Sequence, residues 1–327
     1  MADLAVAEGF WSERPVLITG AAGLLGGWLA RFLLTSGARV VGLDLDWPGG
    51  AILSPAEPVT RVDGDVRLRD DVDGVLREYR PEVIFHLAAQ TQVGVANEDP
   101  VATFEHNVMG TWSVLEACRM APSVASIVVA SSDKAYGDRG GAAYIETDPL
   151  DGRHPYAASK TCADVLAQTY ATSYGLPVAI SRCGNMYGGG DLEWERIVPG
   201  TIRSLLRSQR PVIRSDGRYV RDYLYVEDAA EGVARLAQAV VERTELRGEP
   251  FNFAAEVRLT VLELVNRIRS LMGSDLEPEI LDEAANEIRD QRVDAGKARG
   301  QLGWRPQHSL NEGLRSSIAW YRDYLAA

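Results

Sequence analysis

Tyr156 and Lys160 stand four residues apart in PYAASKTCADVLAQTYATSYG (155–175), a stretch whose pattern predicts a helix closed by Gly175. On a helix that spacing puts both side chains on one face. An ammonium beside a phenol favours the phenolate, so the pair is expected to lower the Tyr156 pKa and make this tyrosine a base. Ser131 and Ser132 lie at the end of a predicted strand, where ligands of parallel sheets bind. The next two residues pose a question. Asp133 and Lys134 put an acid and an amine side by side after the apolar run SIVVA. Either they form a solvated ion pair of little worth, or they face a ligand.

Five short apolar runs bounded by turn residues are read as strands: PVLITG (15–20), ARVVGLDLD (38–46), VIFHLAA (83–89), SIVVASSD (126–133) and LPVAISRCGNMYG (176–188), the last running into a loop. GGWLARFLLTSG (26–37) and EHNVMGTWSVLEACRM (105–120) are read as helices between them. Strand and helix alternating in this way imply an α/β fold, a doubly wound parallel sheet with helices on both faces. Beyond Tyr187 the texture changes. GGGD (188–191) opens a loop, and RIVPGTIRSLLRS (196–208) predicts a helix begun near Pro199. RYVRDYLYVEDAAEGVARLAQAVVER (218–243) predicts a strand, a turn and a helix, and PFNFAA (250–255) one more strand for the parallel sheet. A chain of 327 residues exceeds what one core usually covers. A smaller α/β domain is therefore expected, interleaved with the first.

The first strand runs into TGAAGLLGG, which sets Gly20, Gly23 and Gly26 around Leu24 and Leu25 at a strand-to-helix turn. Glycines there let helix N-terminal amides approach a pyrophosphate. Asp44 ends the second strand at the separation expected of an acid that binds the adenosine ribose, with Asp46 as a competing candidate. A carboxylate there repels a 2′-phosphate, which favours NAD over NADP. Asp65 and Val66 suit the adenine, and Leu87, Ala88 and Ala89 are small enough to let a cofactor lie along the sheet edge. Ser131, Tyr156 and Lys160 complete the expected cofactor contacts.

A formal net charge of −12 argues against nucleic acid, which needs a basic face. Three scattered cysteines read as reduced thiols, and no apolar run approaches the length of a membrane span. With no signal peptide apparent, the cytoplasm is the expected location. His86, His106, His154 and His308 show no ligand spacing, so no metal is expected.

Together, G-x-x-G-x-x-G, HLAA, S-S-x-x-x-Y-G, Y-x-x-x-K and the R-D-Y-x-x-V-x-D of residues 221–228 resemble the extended short-chain dehydrogenase/reductase superfamily over nearly the whole chain. The resemblance implies a Rossmann domain holding NAD, here residues 1–182 and 226–255. It also implies a domain for a nucleoside-diphosphate sugar, here 183–225 and 256–327. It further implies a homodimer, formed through a four-helix bundle from the helices containing Val108–Cys118 and Tyr156–Tyr170.

Within that superfamily Ser132-Asp133-Lys134 is similar to the CDP-glucose 4,6-dehydratases and some UDP-GlcNAc dehydratases, whereas 4-epimerases carry small or apolar residues after the second serine or threonine. The dehydratase reading gives each residue a task. Tyr156 takes the O4 proton as C4 is oxidised, the resulting ketone acidifies C5–H, a neutral Lys134 removes that proton, and a protonated Asp133 serves the departing C6 hydroxyl. CGNMYGGGDLEWERIVP (183–199) resembles the substrate loop of these enzymes, which implies that Asn185, Arg196 and the Ile197–Val198 backbone face the nucleotide sugar. Arg221 and Arg292 are the expected diphosphate ligands. RYVRDYLYVED departs from the R-P-W-Q-H-V form of the CDP-glucose enzymes, and the chain is shorter than theirs, so the base and the hexose stay open. An NAD-dependent 4-epimerase, a UDP-glucuronate decarboxylase and a non-catalytic NAD-binding protein are the competing readings.

Overall fold

The computed structural model of the chain describes residues 9–48, 52–283 and 288–326. Seven strands form one parallel sheet: β1 (Pro15–Thr19), β2 (Arg39–Asp44), β3 (Thr60–Asp63), β4 (Val83–His86), β5 (Ser126–Ala130), β6 (Val178–Cys183) and β10 (Pro250–Phe253). Their spatial order is β3-β2-β1-β4-β5-β6-β10. The order reverses between β1 and β4, where Thr19 pairs with His86, and this opens a crevice beyond the carboxyl ends of the strands.

Period-two alternation divides the strand side chains between two apolar layers. Val16, Ile18, Val83, Phe85 and Val128 face α1 (Leu24–Thr35) and α8 (Val226–Glu242). Leu17, Ile84, Ile127, Val129, Val178 and Ile180 face α2 (Arg69–Tyr79), α5 (Gly110–Arg119) and α6 (Pro155–Tyr174). Burial on both faces is why these strands read as continuous apolar runs. Helix α1 begins two residues earlier than its pattern suggested and ends at Thr35, with Gly37 at φ 87° taking the chain out. Helix α6 starts on Pro155 and stops where Gly175 turns left-handed at φ 68°.

The short helices α3 (Val93–Glu98) and α4 (Pro100–Phe104) lead into a π-helical turn, Glu105–Met109, before α5. The run 176–188, expected as a strand running into a loop, holds two strands. It leaves the large sheet at Gly184 and continues as β7 (Asn185–Tyr187) in a different, three-stranded sheet with β9 (Val220–Tyr225) and β11 (Arg258–Thr260). Around that sheet lie α7 (Ile197–Leu206), the strand pair β8 (Val212–Ile213) and β12 (Glu279–Ile280), α9 (Val261–Met272), α10 (Gly296–Leu302) and α11 (Leu310–Ala326). Helix α9 is stopped from fraying by a reciprocal cap between Thr260 and Glu263.

Candidate active site

The glycine turn is built against the loop that follows β4. Gly20 has φ 73°, and a Cβ there would lie 2.7 Å from the Ala88 nitrogen, so glycine and the small HLAA residues require one another. A Cβ on Gly26 would collide with the Gly20 carbonyl and approach the Ala21 Cα at 2.8 Å, whereas Gly23 has more room, 3.3 Å from the same carbonyl. Gly23 caps α1 without a side-chain bond, so the amides at Leu24 and Leu25 begin a helix end that suits an anion. Asp44 accepts from the Ala22 amide at 2.8 Å and the Leu45 amide at 2.9 Å, which ties the acid to the turn; Asp46 is exposed. Burial raises the Asp44 pKa against the pull of those two amides.

Asp65 is held by Arg67 through bonds of 2.8 and 2.6 Å, and this keeps its carboxyl below the usual range. Val66 is buried beneath Gly110. Glycines that leave backbone exposed, an acid at the turn and small residues at the crevice make a cradle that fits a dinucleotide.

A buried hydrogen-bond chain connects this cradle to the catalytic helix. The Ala88 amide donates to Thr19 Oγ1 at 3.3 Å, and that oxygen lies 2.9 Å from His86 Nδ1. His86 Nε2 lies 3.0 Å from Thr111 Oγ1, which donates to the Asn107 carbonyl at 2.6 Å. Thr111 has spent its proton, so His86 donates from Nε2 and accepts at Nδ1. Asn107 then donates to Ser159 Oγ, and Ser159 to the Tyr156 carbonyl, at 2.9 and 2.7 Å. Burial pushes the His86 pKa down to about 3, so the ring is a neutral connector. In the sequence His86 opens the HLAA motif and lacks metal-ligand spacing; its apolar neighbours are the signal for a buried role. Among the described residues no group of three His, Cys, Asp or Glu side chains could hold a metal ion.

Ser132, Tyr156 and Lys160 meet at the ends of β5 and α6. Lys160 Nζ donates to the Ala130 carbonyl at 2.9 Å, and Ser131 Oγ to the Lys160 carbonyl at 3.3 Å. The neighbouring Ser132 hydroxyl pulls the Tyr156 pKa down, but burial outweighs it and raises Tyr156 to about 12. This corrects the expectation of a lowered tyrosine. Burial depresses Lys160 itself, to about 8, and its ammonium is spent on a backbone carbonyl.

Asp133 and Lys134 open a short 3₁₀ turn, Asp133–Tyr136, with Ser132 as its cap. Asp133 is 1% exposed; Oδ1 accepts from Ser132 at 3.0 Å, and Oδ2 is buried without a hydrogen-bond partner. Lys134 Nζ lies 3.9 Å from Asp133 Oδ1 and donates to Asn185 Oδ1 at 3.1 Å. The pair therefore turns inward, beside the serine and tyrosine, and is no solvated loop-edge ion pair.

The expected substrate residues arrive from the smaller sheet and its helices. Arg196, the cap of α7, contacts both Asp191 oxygens at 3.1 Å and Thr91 Oγ1 at 2.8 Å, which joins the GGGD loop to the loop after β4. Ile197 and Val198 form the first turn of α7, and the Val198 side chain is buried, so its backbone is what can meet a ligand. Arg221 on β9 is buried over the Tyr219 ring, 5.4 Å from its centroid, and Nη1 donates to the Val220 carbonyl. Arg292 is clamped on Asp290 at 3.0 and 2.6 Å; Arg258 reaches the same acid at 3.4 Å. Arg258 and Asp290 were not anticipated, since neither stands in a local pattern. Asp222 stands in the R-D-Y-x-x-V-x-D pattern, which gives it no role; it is a buried acid that accepts from the Ala255 amide, and burial, with the Asp133 charge adding, raises its pKa to about 7.

A doubly wound parallel sheet with a dinucleotide cradle at its switch point and a Ser/Tyr/Lys set at the end of β5 defines an enzyme of the extended short-chain dehydrogenase/reductase class. Residues 16–253 match the model of the NAD dependent epimerase/dehydratase family, and the chain belongs to that family. It is 32% identical to a CDP-glucose 4,6-dehydratase of Salmonella typhimurium, over 97% of this chain and 93% of that one. It is 33% identical to a UDP-glucose 4-epimerase of Mycolicibacterium smegmatis, over 94% of this chain and 98% of the other. The structure of DesIV, a dTDP-glucose 4,6-dehydratase of Streptomyces venezuelae solved with NAD bound, superposes with a TM-score of 0.86 at 30% identity, covering 94% of this chain and 97% of that one. NAD is thus the cofactor.

Proposed function

We propose that this chain is a nucleotide-sugar 4,6-dehydratase, with residues 183–225 and 256–327 as the part that holds the nucleoside-diphosphate sugar. The observation that carries the proposal is the inward-turned Asp133–Lys134 pair beside Ser132 and Tyr156. When bound, NAD supplies reversible acceptance of a hydride from the sugar's C4 and its return at C6. Gly20, Gly23, Leu24, Leu25 and Gly26 approach its phosphates, Asp44 its adenosine ribose, and Asp65 and Val66 its adenine. Tyr156, its own phenol proton first released to solvent, takes the O4 proton as phenolate and ends as a phenol, and the neighbouring Ser132 hydroxyl favours that phenolate beforehand. One proton shifted from Lys134 to Asp133 turns the ion pair into a neutral base and a neutral acid. Lys134 then removes the C5 proton, made acidic by the C4 ketone. Asp133 gives its proton to the C6 oxygen, the C6–O bond breaks, and water leaves. Asn185 holds Lys134 at 3.1 Å and orients it. Arg196, Arg221 and Arg292 supply the positive charge a diphosphate needs in an acidic chain.

The enzyme works as a homodimer through α5 and α6. Trp112 and Val165 on those helices are 50% and 51% exposed, and Val101 and Phe104 on α4 are exposed as well. Apolar exposure of this kind marks an interface. All three cysteines are free thiols, which supports the cytoplasm as its location.

Proton NMR in D2O with CDP-, UDP-, GDP- and dTDP-linked hexoses tests the reading. Solvent deuterium at C5 with a new C6 methyl signal is expected, and the substrate turned over names the base. Lys134→Ala is expected to lose elimination by about 10²-fold or more while still oxidising C4. A C4 epimer without deuterium would establish the epimerase reading instead, which the Mycolicibacterium relative makes the second choice.

A further inference from the structure

The proposed oxidation pair and elimination pair stand on separate elements: Tyr156 and Lys160 on α6, Asp133 and Lys134 on the 3₁₀ turn. Both must meet one sugar ring, so the turn and the helix have to keep a fixed separation. We infer that Arg182 is a positioning residue that sets this separation through Asp164 and Tyr136; the inference rests on the dehydratase reading.

Arg182 lies in β6 and is 2% exposed. Its Nε and Nη2 donate to the two oxygens of Asp164 at 2.7 and 2.9 Å. Asp164 is fully buried and sits one helical turn beyond Lys160. The remaining nitrogen, Nη1, donates to the Tyr136 hydroxyl at 2.8 Å and to the Glu146 carbonyl at 3.2 Å, while the guanidinium lies 4.8 Å from the Tyr136 ring centroid. Tyr136 is the last residue of the turn that Asp133 begins. Its hydroxyl passes its own proton to Asn252 Oδ1 at 2.7 Å, and Asn252, on β10, donates to the Tyr144 and Asp294 carbonyls. Tyr144 in turn stacks on Tyr136 with centroids 4.9 Å apart.

One guanidinium thus fixes the helix by a bidentate fork and the turn by its last side chain. A buried ion pair loses much of its Coulomb energy to desolvation, and an apolar pair of similar volume commonly serves folding as well or better. Stability alone therefore gives weak reason for a charge here. Geometry gives a stronger one, because the planar fork admits a single relative placement of its partners. The direct link between the same elements, Thr161 Oγ1 to the Ala135 carbonyl at 3.2 Å, is a lone neutral bond and constrains less. Displacing a proton-transfer group by about 1 Å costs on the order of 10²-fold in rate.

Two variants test this. Tyr136→Phe removes one hydroxyl and keeps the ring; Arg182→Met combined with Asp164→Leu replaces the ion pair by apolar groups that leave no orphan charge, so that a folding failure in one still leaves the other to decide. Each is compared with wild type for two readings, the rate at which bound reduced nicotinamide forms and the rate of deuterium incorporation at C5 in D2O. The expected result is reduced-nicotinamide formation within about 2-fold of wild type and C5 exchange slower by about 10-fold or more, so that reduced cofactor accumulates. If both rates fall together, or neither changes, the network is structural and the inference is overturned. If wild type itself incorporates no deuterium at C5, the dehydratase reading fails first and takes the inference with it.

Discussion

Burial moves the two residues of the Y-x-x-x-K pair in opposite senses, Tyr156 up to about 12 and Lys160 down to about 8, because in each case it is the charged form that loses its water. A charge neighbour can be read from spacing; the depth at which a side chain lies cannot, and here depth decides the sign for Tyr156. The Lys160 shift has a measurable consequence. Between about 8 and its ordinary value of 10.5 the unfolded chain binds a proton at this lysine that the folded chain lacks, so its contribution to stability rises with pH across that window. Below about 8 the folded protein carries the full cost of the buried ammonium. Lys160→Met removes the titration. Urea unfolding of both proteins across that range is expected to show wild type gaining on the variant as pH rises; parallel curves would refute a depressed lysine.

The parts that repeat a local pattern are legible in the chain. Alternation of apolar residues identifies the strands, Gly175 ends α6 where expected, and PFNFAA joins the parallel sheet as β10. An apolar run does not say which sheet receives it, so the break at Gly184 passes unseen in 176–188. Two-residue strands such as β8 and β12 are too short to show a period. Arg182, Asp164 and Asn252 are single residues brought together from far apart, and no spacing announces them; Tyr136 stands in S-S-x-x-x-Y-G, but that pattern does not name its partners. The glycine turn is the element where local pattern and long-range contact agree. Gly20→Ala must take a left-handed backbone and push on Ala88, so it is expected to cost about 2 kcal/mol or more in urea unfolding and to weaken NAD binding about 10-fold or more in calorimetric titration. Gly23→Ala, whose Cβ would meet the Gly20 carbonyl at 3.3 Å and needs a shift of only a few tenths of an ångström, is expected to cost less than Gly20→Ala in the same unfolding.

For the whole molecule, Trp112 on α5 and Val165 on α6 are among the large apolar side chains left half exposed. Trp112→Glu or Val165→Glu places charge there and is expected to convert a dimer to a monomer in sedimentation, with the unfolding temperature losing its dependence on protein concentration. A wild-type chain that sediments as a monomer would remove these helices from consideration as an interface.

The crossing at Gly184 carries one more consequence. A single residue separates β6 from β7, β9 passes into α8 with none between, and only residues 254–257 join β10 to β11, so each passage between the large sheet and the small one is a short weld and not a long tether. The later return to the large sheet, at β10, seals its far edge against β6. The part built on the smaller sheet is consequently not a detachable cassette. Excising it would sever the cofactor sheet before its last strand is laid down, and a graft from a relative would have to match the welds atom for atom. New sugar preferences in such an architecture arise by replacing residues in place, or by growing the loops that face away from the welds, and not by exchange of whole modules.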